Sequence, residues 1–71
     1  MEKNIEKVFG ERVRQFRKRL NISQEELSFR ANLHKNYVCD VECGRRNVSL
    51  KAIKQFAIGL GISVSELMDI D

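Results

Sequence analysis

The chain has 71 residues, of which 42% are hydrophobic, no proline, and a net charge of +3. A single domain of this length buries only about 60% of its extended surface, which leaves little room for a concave catalytic pocket. Its longest mainly apolar run, residues 56–62, is too short to span a bilayer. These features argue against a membrane protein and predict one cytoplasmic domain over residues 1–71, without a leader peptide.

The charged residues are unevenly distributed along the chain. Residues 12–19 hold five basic residues and no acid, whereas residues 55–71 hold no basic residue and the three acids Glu66, Asp69 and Asp71. A localised basic face is typical of proteins that bind an anionic partner. A solvated surface with uneven charge is the alternative, and charge alone does not separate the two.

The first predicted helix covers residues 5–20. Its apolar residues share one helical face, and they are Ile5, Phe9, Val13, Phe16 and Leu20. Asn21 suits a left-handed stop, because asparagine tolerates positive φ better than most residues. Ser23 follows as an N-cap, and Glu26 three residues later completes the capping-box pattern of the next helix.

Two short helices, residues 24–31 and 35–43, are predicted on either side of a turn at residues 32–34. A three-residue turn makes such helices cross steeply. The residues that would hold the crossing are apolar, namely Leu27, Ala31, Leu33, Val38 and Val41. The side chains that lead the second helix are polar because they face a partner, and they are His34, Lys35, Asn36, Tyr37 and Asp40. This pattern predicts a helix-turn-helix, with Ser28 as a small residue at the crossing.

A fourth predicted helix, residues 50–60, follows the N-cap Ser49 and ends at Gly61. Its inward residues are predicted to be Leu50, Ile53, Phe56, Ala57 and Leu60. A short fifth helix, residues 64–69, follows the N-cap Ser63. The sequence thus predicts an all-α, compact five-helix domain in which the second and third helices form the helix-turn-helix.

Two groups of residues have the chemistry of DNA contacts. Lys35 can donate to guanine O6 or N7, and Asn36 can pair with the adenine edge. Arg45, Arg46 and Asn47 follow the third helix, where they would clamp the backbone and place one arginine in a narrowed minor groove. The alternatives are an ordinary solvated helix turn and a solubilising loop.

The segments SQEEL, NL, YV, DVE and GRRN resemble the phage repressor and Cro family, known as XRE-type helix-turn-helix domains, over about residues 9–68. The resemblance implies a lambda repressor-like fold and a homodimer on a pseudo-palindromic operator of double-stranded DNA. The segment ECGRRNVSLKAI also resembles the small controller proteins that regulate restriction–modification operons.

The resemblance also implies roles for individual residues. Gln24 matches a phosphate contact, Tyr37 a position that touches backbone or base, and Lys35, Asn36 and Asp40 match positions that reach base edges. Arg17 and Glu42 match a buried ion pair between the first helix and the end of the third. This chain departs from the family at three positions: Cys43 replaces a polar or basic residue, Asp40 adds an acid near DNA, and Asn32 replaces a turn glycine.

A homodimer would need an apolar patch away from the basic face. Because the other apolar residues of the fourth helix face inward, Ile58 is predicted to face outward. Leu67 is predicted to pack into the core, which leaves Val64 and Met68 facing solvent. The predicted dimer interface consists of Ile58, Val64, Met68 and Ile70, with Phe29 as an outlying member. The alternative is that so short a chain cannot cover all its apolar residues.

Other classes of function find less support. His34, Cys39 and Cys43 lack a fourth ligand for a tetrahedral zinc site, and two thiols four apart on a helix are poorly placed for a disulfide. One histidine and no phosphate-binding loop argue against an enzyme, and we expect no cofactor, metal or small-molecule effector. The rival is a protein-binding antitoxin or adaptor on the same fold, which typically carries an added tail or arm.

Overall fold

The computed structural model describes residues 4–70, and the chain forms five α-helices in this range. The helices are α1 Ile5–Arg19, α2 Gln24–Ala31, α3 Lys35–Glu42, α4 Leu50–Leu60 and α5 Val64–Leu67. The all-α prediction is confirmed, although α1, α3 and α5 end one or two residues earlier than expected. Residues 1–3 and Asp71 lie outside the described range, so the domain limits 1–71 stay a prediction. No helix among the described residues is long and apolar enough to cross a membrane.

The helix boundaries follow the predicted capping residues. Ser23, Ser49 and Ser63 each accept a backbone hydrogen bond from the residue three positions later, at 3.0, 3.1 and 3.0 Å. These bonds satisfy amide groups that a helix start leaves without a partner. The predicted stops are also confirmed, since Asn21 and Gly61 adopt the left-handed conformation with φ of 57° and 71°.

One apolar core joins the helices. Its fully or nearly buried residues are Phe9, Val13, Phe16, Leu27, Ala31, Val38, Val41, Phe56, Ala57, Leu60 and Leu67. The predicted burial of Leu50 is wrong, because its side chain is 87% exposed. Ile5 and Leu20, which share the predicted apolar face of the first helix, are also 57% and 43% exposed. All three lie at helix ends. Spacing extends an apolar face to the last residue of a helix, whereas the packing covers only the central turns.

Glycines allow two helix pairs to approach at their backbones. A Cβ at Gly10 on α1 would overlap the carbonyl oxygen of Val41 on α3. A Cβ at Gly59 on α4 would lie 2.8 Å from the Cβ of Ala31 on α2. Van der Waals contact between carbon atoms begins at about 3.5 Å, so neither site has room for a methyl group.

A hydrogen-bonded ion pair links three helices at one edge of this core. Arg17 donates to both carboxylate oxygens of Glu42, from Nε at 2.6 Å and from Nη2 at 2.9 Å. It also donates to the Ile22 carbonyl, and Gln24 donates to Glu42 Oε1 at 3.1 Å. The side chains of Arg17 and Glu42 are only 12% and 3% exposed, as the family resemblance implies. The hydrogen bond to Glu42 is the main cause that raises the pKa of Arg17, so the guanidinium remains charged.

We expect Gly10→Ala to destabilise the domain by about 1–3 kcal/mol, because the added methyl group forces α1 away from α3. Helix propensity alone predicts the opposite sign, a gain of about 1 kcal/mol. Urea unfolding followed by circular dichroism measures the difference. Lys18→Ala, an exposed position on the same helix, serves as the control and should be nearly neutral. A Gly10→Ala variant more stable than the wild type would contradict the close approach.

We expect Arg17→Met or Glu42→Leu to cost about 3–5 kcal/mol, because each leaves one buried charge without its partner. The double variant should lose less than the sum of the two single losses, since it leaves neither charge behind. Thermal melts of the four proteins measure this coupling. Small losses of stability that add up in the double variant would show that Arg17 and Glu42 do not stabilise each other.

Candidate nucleic-acid interface

The turn between α2 and α3 has the geometry predicted for a helix-turn-helix. Asn32 ends α2 in the left-handed conformation with φ of 56°, and the Leu33 amide returns to the Ser28 carbonyl at 2.9 Å. Ser28 is buried, and its hydroxyl donates to the Glu25 carbonyl at 2.7 Å. Asparagine at residue 32 tolerates this backbone, so the missing turn glycine does not prevent the motif.

His34 begins α3 as its N-cap. Its imidazole Nδ1 accepts the Asn36 backbone amide at 3.1 Å, while the ring stays exposed. Sequence reasoning placed His34 among the partner-facing side chains and missed this role, because histidine is not one of the usual capping residues. The cap fixes the start of the helix beside the residues predicted to read bases.

Lys35 and Asn36 project from the first turn of α3 and are exposed. Neither side chain makes a hydrogen bond or ion pair with the residues that the structure describes. The other face of α3 is anchored by Val38 and Val41, which are 0% and 1% exposed. The helix therefore presents polar groups on a rigid support, which is the arrangement that base reading requires.

Tyr37 and Arg46 form a stack that rises from the core. The Tyr37 ring packs on the buried Phe56 ring with centroids 6.3 Å apart and planes 21° apart. The guanidinium carbon of Arg46 lies over the Tyr37 ring, 5.2 Å from the ring centroid. Tyr37 is consequently half-buried, and it positions an arginine of the following loop.

Asp40 binds both arginines of the loop after α3, an arrangement that the sequence did not predict. Its Oδ1 lies 3.3 Å from Arg45 Nη2, and its Oδ2 lies 3.5 Å from Arg46 Nε. The hydrogen bond from Arg45 is the main cause that raises the pKa of this arginine. Asn47 is exposed beside them. The acid that departs from the family pattern is thus neutralised within the chain.

The backbone of this loop is fixed by a glycine. Gly44 adopts the left-handed conformation with φ of 76°, which brings the Arg45 amide to the Asp40 carbonyl at 2.9 Å. The Gly44 amide reaches the Val41 carbonyl at 3.0 Å, and these two bonds make a Schellman motif. A Cβ at Gly44 would lie 2.9 Å from Lys7 Cγ, so the loop also rests against α1.

Gln24, the predicted phosphate contact, begins α2. Its amide nitrogen donates inward to Glu42, as described above, and the residue is half-buried. It lines a shallow pocket together with Arg14 and Cys43. Cys39 and Cys43 are both free thiols. Within residues 4–70, no three His, Cys, Asp or Glu side chains come close enough to hold a metal ion.

Of the predicted dimer interface, Ile58 lies on α4 and Val64 on α5, whereas Met68 caps the end of α5 and Ile70 follows it. Ile58, Val64 and Met68 are 63%, 42% and 37% exposed, whereas Ile70 is half-buried against the core. The expected exposure of Ile70 is therefore wrong, because the chain turns back onto the core after α5. Arg12 holds this end by donating to the carbonyls of Leu67 and Glu66 at 3.0 and 2.7 Å.

Known proteins resemble this chain over nearly its whole length. The helix-turn-helix family matches residues 13–67. The control protein C.BamHI of Bacillus amyloliquefaciens is 44% identical over 70 residues, which are 97% of this chain and 86% of that protein. The restriction–modification controller protein C.AhdI of Aeromonas hydrophila is 43% identical, with a TM-score of 0.86 over 89% of this chain and 96% of that one.

A third comparison extends the likeness of the fold. The controller protein C.Esp1396I, crystallised as a tetramer in complex with its natural 35 base-pair operator, superposes with a TM-score of 0.88. It is 22% identical, and the match covers 96% of this chain and 90% of that one. The matched helices include the α2–α3 motif and the core that supports it. The chain therefore belongs to the XRE-type helix-turn-helix family of DNA-binding transcriptional regulators.

Proposed function

We propose that this protein is the controller of a restriction–modification operon and binds a pseudo-palindromic DNA operator as a homodimer, with α3 in the major groove. The controller assignment draws support from C.BamHI and C.AhdI, which share more than two-fifths of their aligned residues with this chain. It acts in the cytoplasm, by binding without catalysis and without a cofactor or small-molecule effector.

The first turn of α3 is the observation that carries the proposal. Lys35 and Asn36 are exposed and free of side-chain partners in the described part of the chain, while the opposite face of α3 is buried. Lysine donates to guanine and asparagine pairs with adenine in the major groove, so these two residues read bases. Asp40, one turn further along, faces the same groove and Tyr37 lies beside it.

Phosphate contacts orient the helix on the duplex. The start of α2 at Gln24 lies near the end of α3, and free amide groups at a helix start favour an anion. On the other side, Arg45, Arg46 and Asn47 are exposed in the loop after α3. His34 completes the contact surface at the start of α3. Contacts of this kind set position and register and supply most of the non-specific affinity.

The dimer forms through the apolar surface of α4 and α5. Ile58, Val64 and Met68 are large apolar side chains at more than one-third exposure, and α5 is held against α1 by Arg12. Ile70 contributes only through the part of its side chain that the core leaves uncovered, and Phe29, at 82% exposure, is an outlying member. A two-fold contact here spaces the two reading helices by about one helical turn, ~34 Å.

We expect Lys35→Ala or Asn36→Ala to weaken specific binding by about 1–3 kcal/mol and to relax base preference at one position in each half-site. Gln24→Ala should weaken binding to all sequences alike, because phosphate contacts carry no base information. Fluorescence anisotropy on a duplex that the wild type selects from a random library measures both effects.

Lys18→Ala removes the same charge as Lys35→Ala from the outer face of α1 and is the matched control. It should leave base preference unchanged and alter affinity only slightly. A Lys35→Ala/Asn36→Ala double variant that selects the same duplex as the wild type would show that α3 is not the reading helix.

We expect Val64→Glu/Met68→Glu to dissociate the dimer, because two carboxylates would be buried in a small apolar contact. Sedimentation velocity at several concentrations measures the change. Ser65→Glu adds a carboxylate to an exposed position of the same short helix and should still sediment as a dimer. If the double variant also remains dimeric, the interface lies elsewhere on the molecule.

A further inference from the structure

Asp40 and the two loop arginines make a closed cluster, which we call the Asp40 clasp and define as Asp40, Arg45 and Arg46. Each carboxylate oxygen faces a different guanidinium, at 3.3 and 3.5 Å. The Schellman motif at Gly44 brings Arg45 back to the same turn of α3, and the stack on Tyr37 places Arg46. The clasp carries a net charge of +1, where the arginines alone would present +2.

The clasp is closed but easily opened. The side chains of Asp40, Arg45 and Arg46 are 33%, 63% and 51% exposed, so water and salt screen both contacts. Exposed pairs of this type contribute little to stability. A DNA phosphate offers the same arginines a comparable anion, with a bidentate geometry that suits guanidinium groups. Asp40 and the DNA backbone therefore compete for the same two side chains.

In the major groove, the base opposite Asp40 determines whether its carboxylate meets a hydrogen-bond donor or an acceptor. A carboxylate can accept from the cytosine N4 amino group, whereas guanine O6, guanine N7 and thymine O4 are acceptors that repel it. Over cytosine, the carboxylate gains a donor from the base while the phosphates bind both arginines. Over guanine or thymine the carboxylate faces acceptors, and over adenine the N7 acceptor lies beside the N6 donor, so the arginines remain its best partners there.

We propose that Asp40 couples base reading to backbone binding, by releasing Arg45 and Arg46 to phosphates only where cytosine replaces them. The coupling rests on the proposed placement of α3 in the major groove. It makes Asp40 a residue that determines specificity: on non-matching DNA the clasp stays closed and two phosphate contacts are missing. Non-specific affinity is lowered, while the affinity for the operator keeps the full set of contacts.

The test compares a duplex selected by the wild type with a scrambled duplex of equal length, over a series of salt concentrations. Each phosphate contact adds about 0.9 to the slope of log affinity against log salt. We expect the wild-type slope to be smaller on the scrambled duplex by about 1.8, the value for two contacts. In Asp40→Asn the two slopes should converge, and affinity for the scrambled duplex should rise by about tenfold or more.

Two further variants separate the clasp from net charge. Glu26→Gln removes an acid that pairs with Arg30 at 2.8 Å on the surface of α2, and it should raise affinity for both duplexes by the same small factor. Arg45→Ala/Arg46→Ala in the Asp40→Asn background should abolish the gain on the scrambled duplex. A new selection with Asp40→Asn should lose one cytosine preference in each half-site.

The coupling is overturned if Asp40→Asn raises affinity for both duplexes equally, as Glu26→Gln does. It is also overturned if the wild-type slopes on the two duplexes are the same. Either result would leave the regulator a DNA-binding protein whose Lys35 and Asn36 still select a sequence. If the wild type selects no duplex at all, base reading by α3 fails, and the coupling fails with it.

Discussion

The Arg17–Glu42 pair is the interaction on which the geometry of the proposed DNA-binding surface depends. α3 has eight residues, and a helix of that length has little stability by itself in water. Its direction must come from what holds it. The buried carboxylate of Glu42 ties its last residue to Arg17 of α1 and to Gln24 at the start of α2. Because the C-terminal end of α3 is held in this way, the direction of its N-terminal end, at Lys35, is fixed as well.

The close approach at Gly10 complements this ion pair. α1 touches the last turn of α3 through backbone atoms at Gly10, and one turn away Gly44 turns the chain against Lys7. Rigid contacts therefore surround the C-terminal end of α3, whereas its N-terminal end carries the exposed Lys35 and Asn36. The proposed base readers Lys35 and Asn36 therefore lie away from the contacts that hold the helix, so substitutions at these two residues should leave the fold intact.

Much of the fold could be predicted from local patterns, whereas pairs of distant residues could not. The serine caps and the left-handed asparagines depend on neighbours in the chain, and the structure has them as predicted. The apolar spacing gives the buried face of the helices except at their ends. The exposure of Leu50 and the burial of Ile70 depend on where neighbouring helices end. The Arg17–Glu42 pair was available only through family resemblance, and the contact of Arg12 with Leu67, 55 residues away, gave no local signal.

The placement of the charged residues was also only partly predictable from local sequence. Residues 12–19 suggested a basic face for an anionic partner, but two of their five cations are committed within the fold: Arg17 to Glu42, and Arg12 to the carbonyls that end α5. Arg19 and Arg12 each lie over the Phe16 ring, with the guanidinium carbon 5.1 Å from the ring centroid. Carbonyl groups leave the charge of Arg12 unchanged, so Arg17 is the cation of this run that a carboxylate neutralises. The exposed Arg14, Lys18 and Arg19 still contribute to the positive field around the proposed interface, where Asp40 offsets part of the charge of Arg45 and Arg46. A basic run indicates a nucleic-acid partner only after the charges that the fold pairs internally have been subtracted.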